Sequence, residues 1–309
     1  MRKVLAFLVS AAILTAVYLQ IDVASLVETL AGANRWRLAA SLLLLVALVF
    51  GSAGRLVLLA HAAELQLAGR MAVKATFAAN ALNLILPGKL GDLAKASLMR
   101  DTESGSVLPG LRVCIYEKLA DLLAILACGV VALAVYPGSD WVLLLGLAAS
   151  AVVLLMCMTL QQVPRTLLRI VHLAPTGLDR LVAPVLRSWI DLISRLVHRP
   201  RQLTAALMLT LVIWAGHFLQ IAMMAWALGV TGPWLELISL FPIIILAGLL
   251  PVTIAGIGPR DAAMVVLAGP LIGYPVAAAL GVLFWLRYLV PGAIGLTVVP
   301  EFMKSVKPR

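Results

Sequence analysis

Apolar residues run along this chain in blocks long enough to cross a lipid bilayer, and polar positions fall between the blocks rather than alternating with them. A helical span needs ~20 apolar residues. Blocks of that order occupy 3–20, 38–60, 111–136, 141–160, 203–228 and 276–299. Their unbroken character argues against a β-barrel, whose strands alternate apolar and polar residues. Two further apolar stretches, 71–86 and 235–250, run into short polar phrases rich in proline and glycine. The first, 80–95, reads NALNLILPGKLGDLAK, and the second, 249–261, reads LLPVTIAGIGPRD. The segments that follow them, 92–99 and 261–271, are too short to cross alone. A helix of about a dozen residues reaches ~18 Å, against a ~30 Å hydrocarbon core. The pattern predicts two re-entrant helical hairpins, over 71–100 and 235–272. The fold class is all-α: a polytopic helical membrane protein with six full spans and two hairpins in an approximate inverted repeat.

Composition agrees with that pattern. Of 309 residues, 63% are hydrophobic and 12% charged, where a soluble domain carries about 25% charged residues. The block 3–20 is long for a signal-peptide core and no small-residue cleavage site follows it, so it reads as a retained span. The net charge of +10 comes from residues between spans, which set topology and touch anionic lipid. No nucleic-acid motif accompanies it. Arg55, Arg70, Lys74, Lys89, Lys95, Arg100 and Arg112 group between the second and third spans, and a string of arginines fills 161–202. The connections near Asp22, Pro137 and Thr231 carry no lysine or arginine. Basic loops belong in the cytoplasm. The expected location is therefore the cell inner membrane, multi-pass, with both termini cytoplasmic. That topology works only if each hairpin returns to the side it came from. The whole chain, 1–309, reads as one integral-membrane domain: a first half 1–160, a cytoplasmic linker 161–202 and a second half 203–309. Within the linker, 163–199 places Leu178, Leu181, Val185, Trp189, Leu192 and Leu196 at helical spacing, an amphipathic helix on the membrane surface.

Polar residues at membrane depth mark sites. The first phrase supplies Asn80, Asn83, Lys89, Asp92 and Lys95. Pro87 and Gly88 stop the preceding helix, and Asp92 suits the N-cap of the next. Free N–H groups there, with the two lysines, suit a phosphate or another anion. Glu117 and Asp121 stand four residues apart at the start of a long apolar run and share a face. Lys89, Lys95, Arg112, Arg260 and Arg287 are the candidate cations for them. In the second phrase Arg260 offers paired hydrogen bonds to a phosphate, with Asp261 as cap or orienting group. Arg287 lies inside the span 276–299 and must face a cavity or a carboxylate. His217 is a packing residue or a relay, and Trp214, Trp226, Trp234 and Trp285 take interfacial or packing roles. Cys114, Cys128 and Cys157 follow neither disulfide nor metal spacing. No nucleophile–base motif, phosphate loop or metal cluster stands out, so the expectation is a protein that is not an enzyme and takes no cofactor.

These phrases, N-x-x-x-P-G-x-x-G-D, then E-K-x-x-D at the head of a span, then L-P-x-x-x-x-G-x-G-P-R-D, resemble the transmembrane domain of lysylphosphatidylglycerol synthases, shared by stand-alone flippase-like membrane proteins. The resemblance covers nearly the whole chain. It implies movement of a lipid between leaflets, aminoacylated phosphatidylglycerol in the two-domain synthases. For this chain the expected cargo is an anionic or zwitterionic headgroup, on either a phospholipid (an anionic phospholipid among them) or a polyprenyl-phosphate-linked sugar. It also implies a lipid path along Asn83, Lys89, Asp92, Glu117, Asp121, Arg260 and Asp261. The soluble synthase domain of the two-domain members is not in this sequence, so synthase activity does not carry over. Pro259 before the arginine, and aspartate in place of glutamate at 261, depart from the pattern. The alternative reading is a non-transporting lipid-binding partner of a glycosyltransferase or lipid-modifying enzyme.

Overall fold

A computed structural model describes residues 22–99, 106–135, 141–173, 179–249 and 258–306, the side chains of 87–89, 172–173, 179–181 and 304–306 excepted. The expected span 3–20, and Thr253 and Gly256 of the second phrase, lie outside the described residues. Among those residues all regular structure is helical: α1 (Val23–Ala31), α2 (Arg35–Ala62), α3 (Gly69–Asn83), a 3-10 helix (Pro87–Leu98), α4 (Leu108–Val135), α5 (Trp141–Thr159), α6 (Gln162–Leu173), α7 (Asp179–Val197), α8 (Pro200–Ala227), α9 (Trp234–Gly248), α10 (Pro259–Ile272) and α11 (Tyr274–Val306). Five helices, α2, α4, α5, α8 and α11, are long and apolar enough to cross a membrane. They correspond to five of the six expected spans, four of them starting two or three residues earlier than expected and α5 starting at the expected residue. Local chemistry sets several starts. Asn34 accepts from the N–H groups of Trp36 and Arg37, both at 3.1 Å, and so caps α2. Asp22 caps α1 in the same way through Ala24 and Ser25.

The two hairpins form as paired short elements, α3 against the 3-10 helix and α9 against α10. Their return limbs differ from expectation. The first is a 3-10 helix that begins at Pro87, five residues before Asp92, so Asp92 sits inside it and does not cap it. Proline suits a first helical position because its missing N–H has no partner there anyway. Gly91 then presses on α3: a Cβ there would lie 2.6 Å from the Asn83 nitrogen and 2.7 Å from the Ala79 carbonyl oxygen. In the second hairpin Asp261 reaches back to accept from the Gly258 N–H at 3.1 Å, the expected cap, with Pro259 at the first helical position.

α2 packs along α8, α3 along α11, and α9 along α4. The pair α2–α8 is antiparallel: Arg37 reaches Trp226, Gln220 reaches Ser41, Gly216 meets Leu48 and Gly51 meets Ile213. An inverted repeat requires its corresponding helices to run in opposite directions, as α2 and α8 do. α3 and α11 approach closely at Gly295, whose ideal Cβ position lies only 2.0 Å from the Phe77 carbonyl oxygen. Small residues permit such approach between helices in lipid. The two largest apolar cores among the described residues lie one under each hairpin.

The linker also departs from a single amphipathic helix. It folds as two helices, α6 and α7, packed on each other. On α7, Leu192 and Leu196 are buried in the core beneath the first hairpin, and Trp189 donates to the Cys157 carbonyl at 3.2 Å. Val185 alone of the described stripe stays exposed. Arg195 and Arg199 hold Glu64 at 2.7 and 3.0 Å and fasten the linker to the end of α2.

Candidate functional site

Between the halves lies a cavity of about 130 Å³, lined from α2, α3, the 3-10 helix, α4, α8, α9 and α11. It approaches the ~150 Å³ of a cavity known to hold a benzene-sized ligand. Asn80, Asn83, Asp92, Lys95, Glu117, Asp121 and Arg287 all line it, so most residues singled out from the sequence converge. Ser52, Arg55, Lys118 and His217 line it too.

One wall is a closed ring of alternating charges. Glu117 lies 2.8 Å from Arg55 and 3.0 Å from Lys95. Lys95 lies 3.5 Å from Asp92, and Asp92 lies 2.7 Å from Lys118. Lys118 meets Asp121 at 3.2 Å, and Asp121 returns to Arg55 at 2.5 Å. Each carboxylate thus faces two cations and each cation two carboxylates. The elements explain how. Glu117, Lys118 and Asp121 sit on adjacent turns of α4, Asp92 and Lys95 on one turn of the 3-10 helix packed against it, and Arg55 enters from α2. Trp214 on α8 donates its indole N–H to Asp121 at 3.0 Å, and Thr210 accepts from Arg55 at 3.3 Å. Arg55, Lys95 and Glu117 are buried, at 2%, 3% and 1% exposure. A buried charge is tolerated only when its partners are in place, and the ring meets that condition.

The other half supplies a different pattern. Arg260 donates to Asp261 at 2.7 Å, and both are buried. Trp285 points its indole N–H at the same carboxylate from 3.4 Å, the counterpart of Trp214 at Asp121. The Arg260 and Arg287 guanidinium carbons lie 4.4 and 4.3 Å from the Phe284 ring centroid. Phe284 and Arg287 line the cavity, whereas Arg260 and Asp261 do not. Arg287 is 7% exposed, and its Nε and Nη1 have no hydrogen-bond partner among the described residues.

Several expectations therefore change. Arg112 points away from the cavity, donating to the Ser188 carbonyl at 2.6 Å and to Asp191 at 3.0 Å on α7. Neither Arg112, Arg260 nor Arg287 pairs with Glu117 or Asp121; Arg55, Lys95 and Lys118 do. The Lys89 side chain lies outside the described residues. Arg55, grouped by sequence with the loop cations, sits well inside α2. Trp214 and Trp285, expected at interfaces or in packing, hold carboxylates.

A bundle of long apolar helices around a charged internal cavity defines a multi-pass helical membrane protein. The chain belongs to a family of lipid-related membrane domains, the lysylphosphatidylglycerol synthase TM region, whose sequence model matches residues 3–295. No curated protein matches it.

Proposed function

We propose that this protein is a lipid translocase of the cell inner membrane, with both termini cytoplasmic, moving a phospholipid or polyprenyl-phosphate-linked headgroup between leaflets. The observation that carries the reading is the cavity with a charged wall between helices of both halves, lined by the first hairpin, by Arg55 of α2 and by Arg287 of α11. The headgroup enters the cavity while its acyl or prenyl chains stay in lipid. Inverted halves rock about such a site in alternating access. The membrane potential, worth ~2.3 kcal/mol per charge per 100 mV, biases a charged headgroup. Family membership supports a lipid-related role, and no enzymatic step is assigned.

Reconstitution in liposomes with headgroup-labelled lipid tests the proposal. Vesicles holding the purified protein should exchange the label between leaflets faster than protein-free vesicles. Equal rates with saturable lipid binding would replace transport by a lipid-holding partner of a glycosyltransferase or lipid-modifying enzyme.

A further inference from the structure

The charge distribution in the cavity narrows the cargo, on the reading that a lipid headgroup occupies it. The three carboxylates that line it, Asp92, Glu117 and Asp121, are each held between two cations of the ring. The ring is neutral as a unit. The remaining lysine, arginine or carboxylate of the lining is Arg287. Among the described lining residues the cavity thus carries a single excess positive charge, on a nine-tenths-buried guanidinium with two N–H-bearing nitrogens unengaged. A buried unpaired guanidinium is costly, and a bound anion relieves that cost. Arg260 does not share the excess, because Asp261 neutralises it at 2.7 Å.

A second buried group points to the rest of the headgroup. Asn83 lines the cavity, and its Oδ1 has no hydrogen-bond partner among the described residues. Asn80 also lines it and spends one amide N–H on the Thr76 carbonyl at 2.9 Å. An amide carbonyl accepts from a hydroxyl. An ammonium can donate to the same carbonyl, but it brings a second positive charge into a cavity whose charged lining already has one in excess.

We infer that the site selects a lipid phosphodiester of single negative charge with an uncharged, hydroxyl-bearing substituent, seated with its phosphate on Arg287 and its hydroxyl on Asn83, and discriminates against zwitterionic and aminoacylated headgroups. Phosphatidylglycerol and a polyprenyl-phosphate-linked hexose share that chemistry.

The test is competition binding on the full-length protein in neutral nanodiscs at physiological salt. The competing probes are phosphatidylglycerol, polyprenyl phosphohexose, phosphatidylethanolamine and lysylphosphatidylglycerol. A charge-assisted contact predicts that one or both monoanionic hydroxylated lipids bind about tenfold or more tighter than the other two, and the tighter of them names the source. In Arg287→Gln the preference should shrink to about twofold or less, while Arg287→Lys, which keeps the charge, should retain the order. Lysylphosphatidylglycerol or phosphatidylethanolamine bound as tightly as phosphatidylglycerol by the native protein would overturn the inference. So would a preference that survives Arg287→Gln, since that marks attraction to surface charge instead. Leaflet exchange separates this from the transport reading. Ordered binding without exchange removes transport and leaves the selectivity, whereas exchange of all four lipids at one rate does the reverse.

Discussion

Replacing Arg55 with methionine is expected to destabilise the protein by about 3–5 kcal/mol, the usual cost of removing one partner from a buried ion pair. Arg55 is 2% exposed and closes the charged ring by touching both Glu117 and Asp121. Without it those two carboxylates, four residues apart on α4, keep only Lys95 and Lys118, and the buried cluster gains a net negative charge. The apparent unfolding midpoint in detergent should fall by about 10 °C. The double variant Arg55→Met, Glu117→Gln should be more stable than Arg55→Met alone. Charge balance returns: Asp121 keeps Lys118 and the Trp214 indole, and Lys95 keeps Asp92. Midpoints measured at one scan rate for the two single variants and the double variant close the cycle. Losses that simply add would show that Arg55 and Glu117 do not act as one unit.

The ring also shows where sequence reading reached and where it stopped. Five of the six expected spans and the paired limbs of the hairpins were legible because a bilayer imposes long apolar blocks, and the polar phrases interrupt them at Pro87 and near Pro251. Asn80, Asp92, Lys95, Glu117 and Asp121 stood out as polar groups in apolar surroundings, and they do converge. Which cation meets which carboxylate was not legible, because pairing is a property of helix packing. Arg55 looked like a loop cation, although the apolar block 38–60 already contained it. Lys118 was hidden by its neighbours, yet it lies three residues before Asp121 and so shares its face. The exclusion of Arg112 was within reach. Five residues before Glu117 is about 140° round a helix of 3.6 residues per turn, which turns Arg112 away. The start of the first return limb at Pro87 depended on Gly91 seating against the α3 backbone, a contact that sequence does not display.

Replacing Ser52 with phenylalanine is expected to abolish headgroup binding and leaflet exchange while leaving the fold intact. Ser52 lines the cavity from α2, outside the charged ring, and its hydroxyl is spent locally on the Leu48 carbonyl at 2.9 Å. A benzyl group there projects into a space of about 130 Å³ and takes the room a headgroup needs. Lipid affinity should fall by about tenfold or more, equivalent to ~1.4 kcal/mol. Exchange should drop to the rate of protein-free vesicles. Ser52→Ala, which keeps the space open, should behave as the native protein. A Ser52→Phe variant that still exchanges lipid at the native rate would place the path elsewhere.

Capture of the lipid inside the cavity tests the central claim most directly. A photoreactive amino acid at Ser52 faces the space between the halves, and one at Val152 on α5, 56% exposed, faces the surroundings. Irradiation in phosphatidylglycerol-containing membranes, followed by mass spectrometry of the adduct, should find headgroup atoms joined at position 52 and only acyl chains at 152. Acyl chains at both positions, or no lipid at 52, would contradict a headgroup path between the halves.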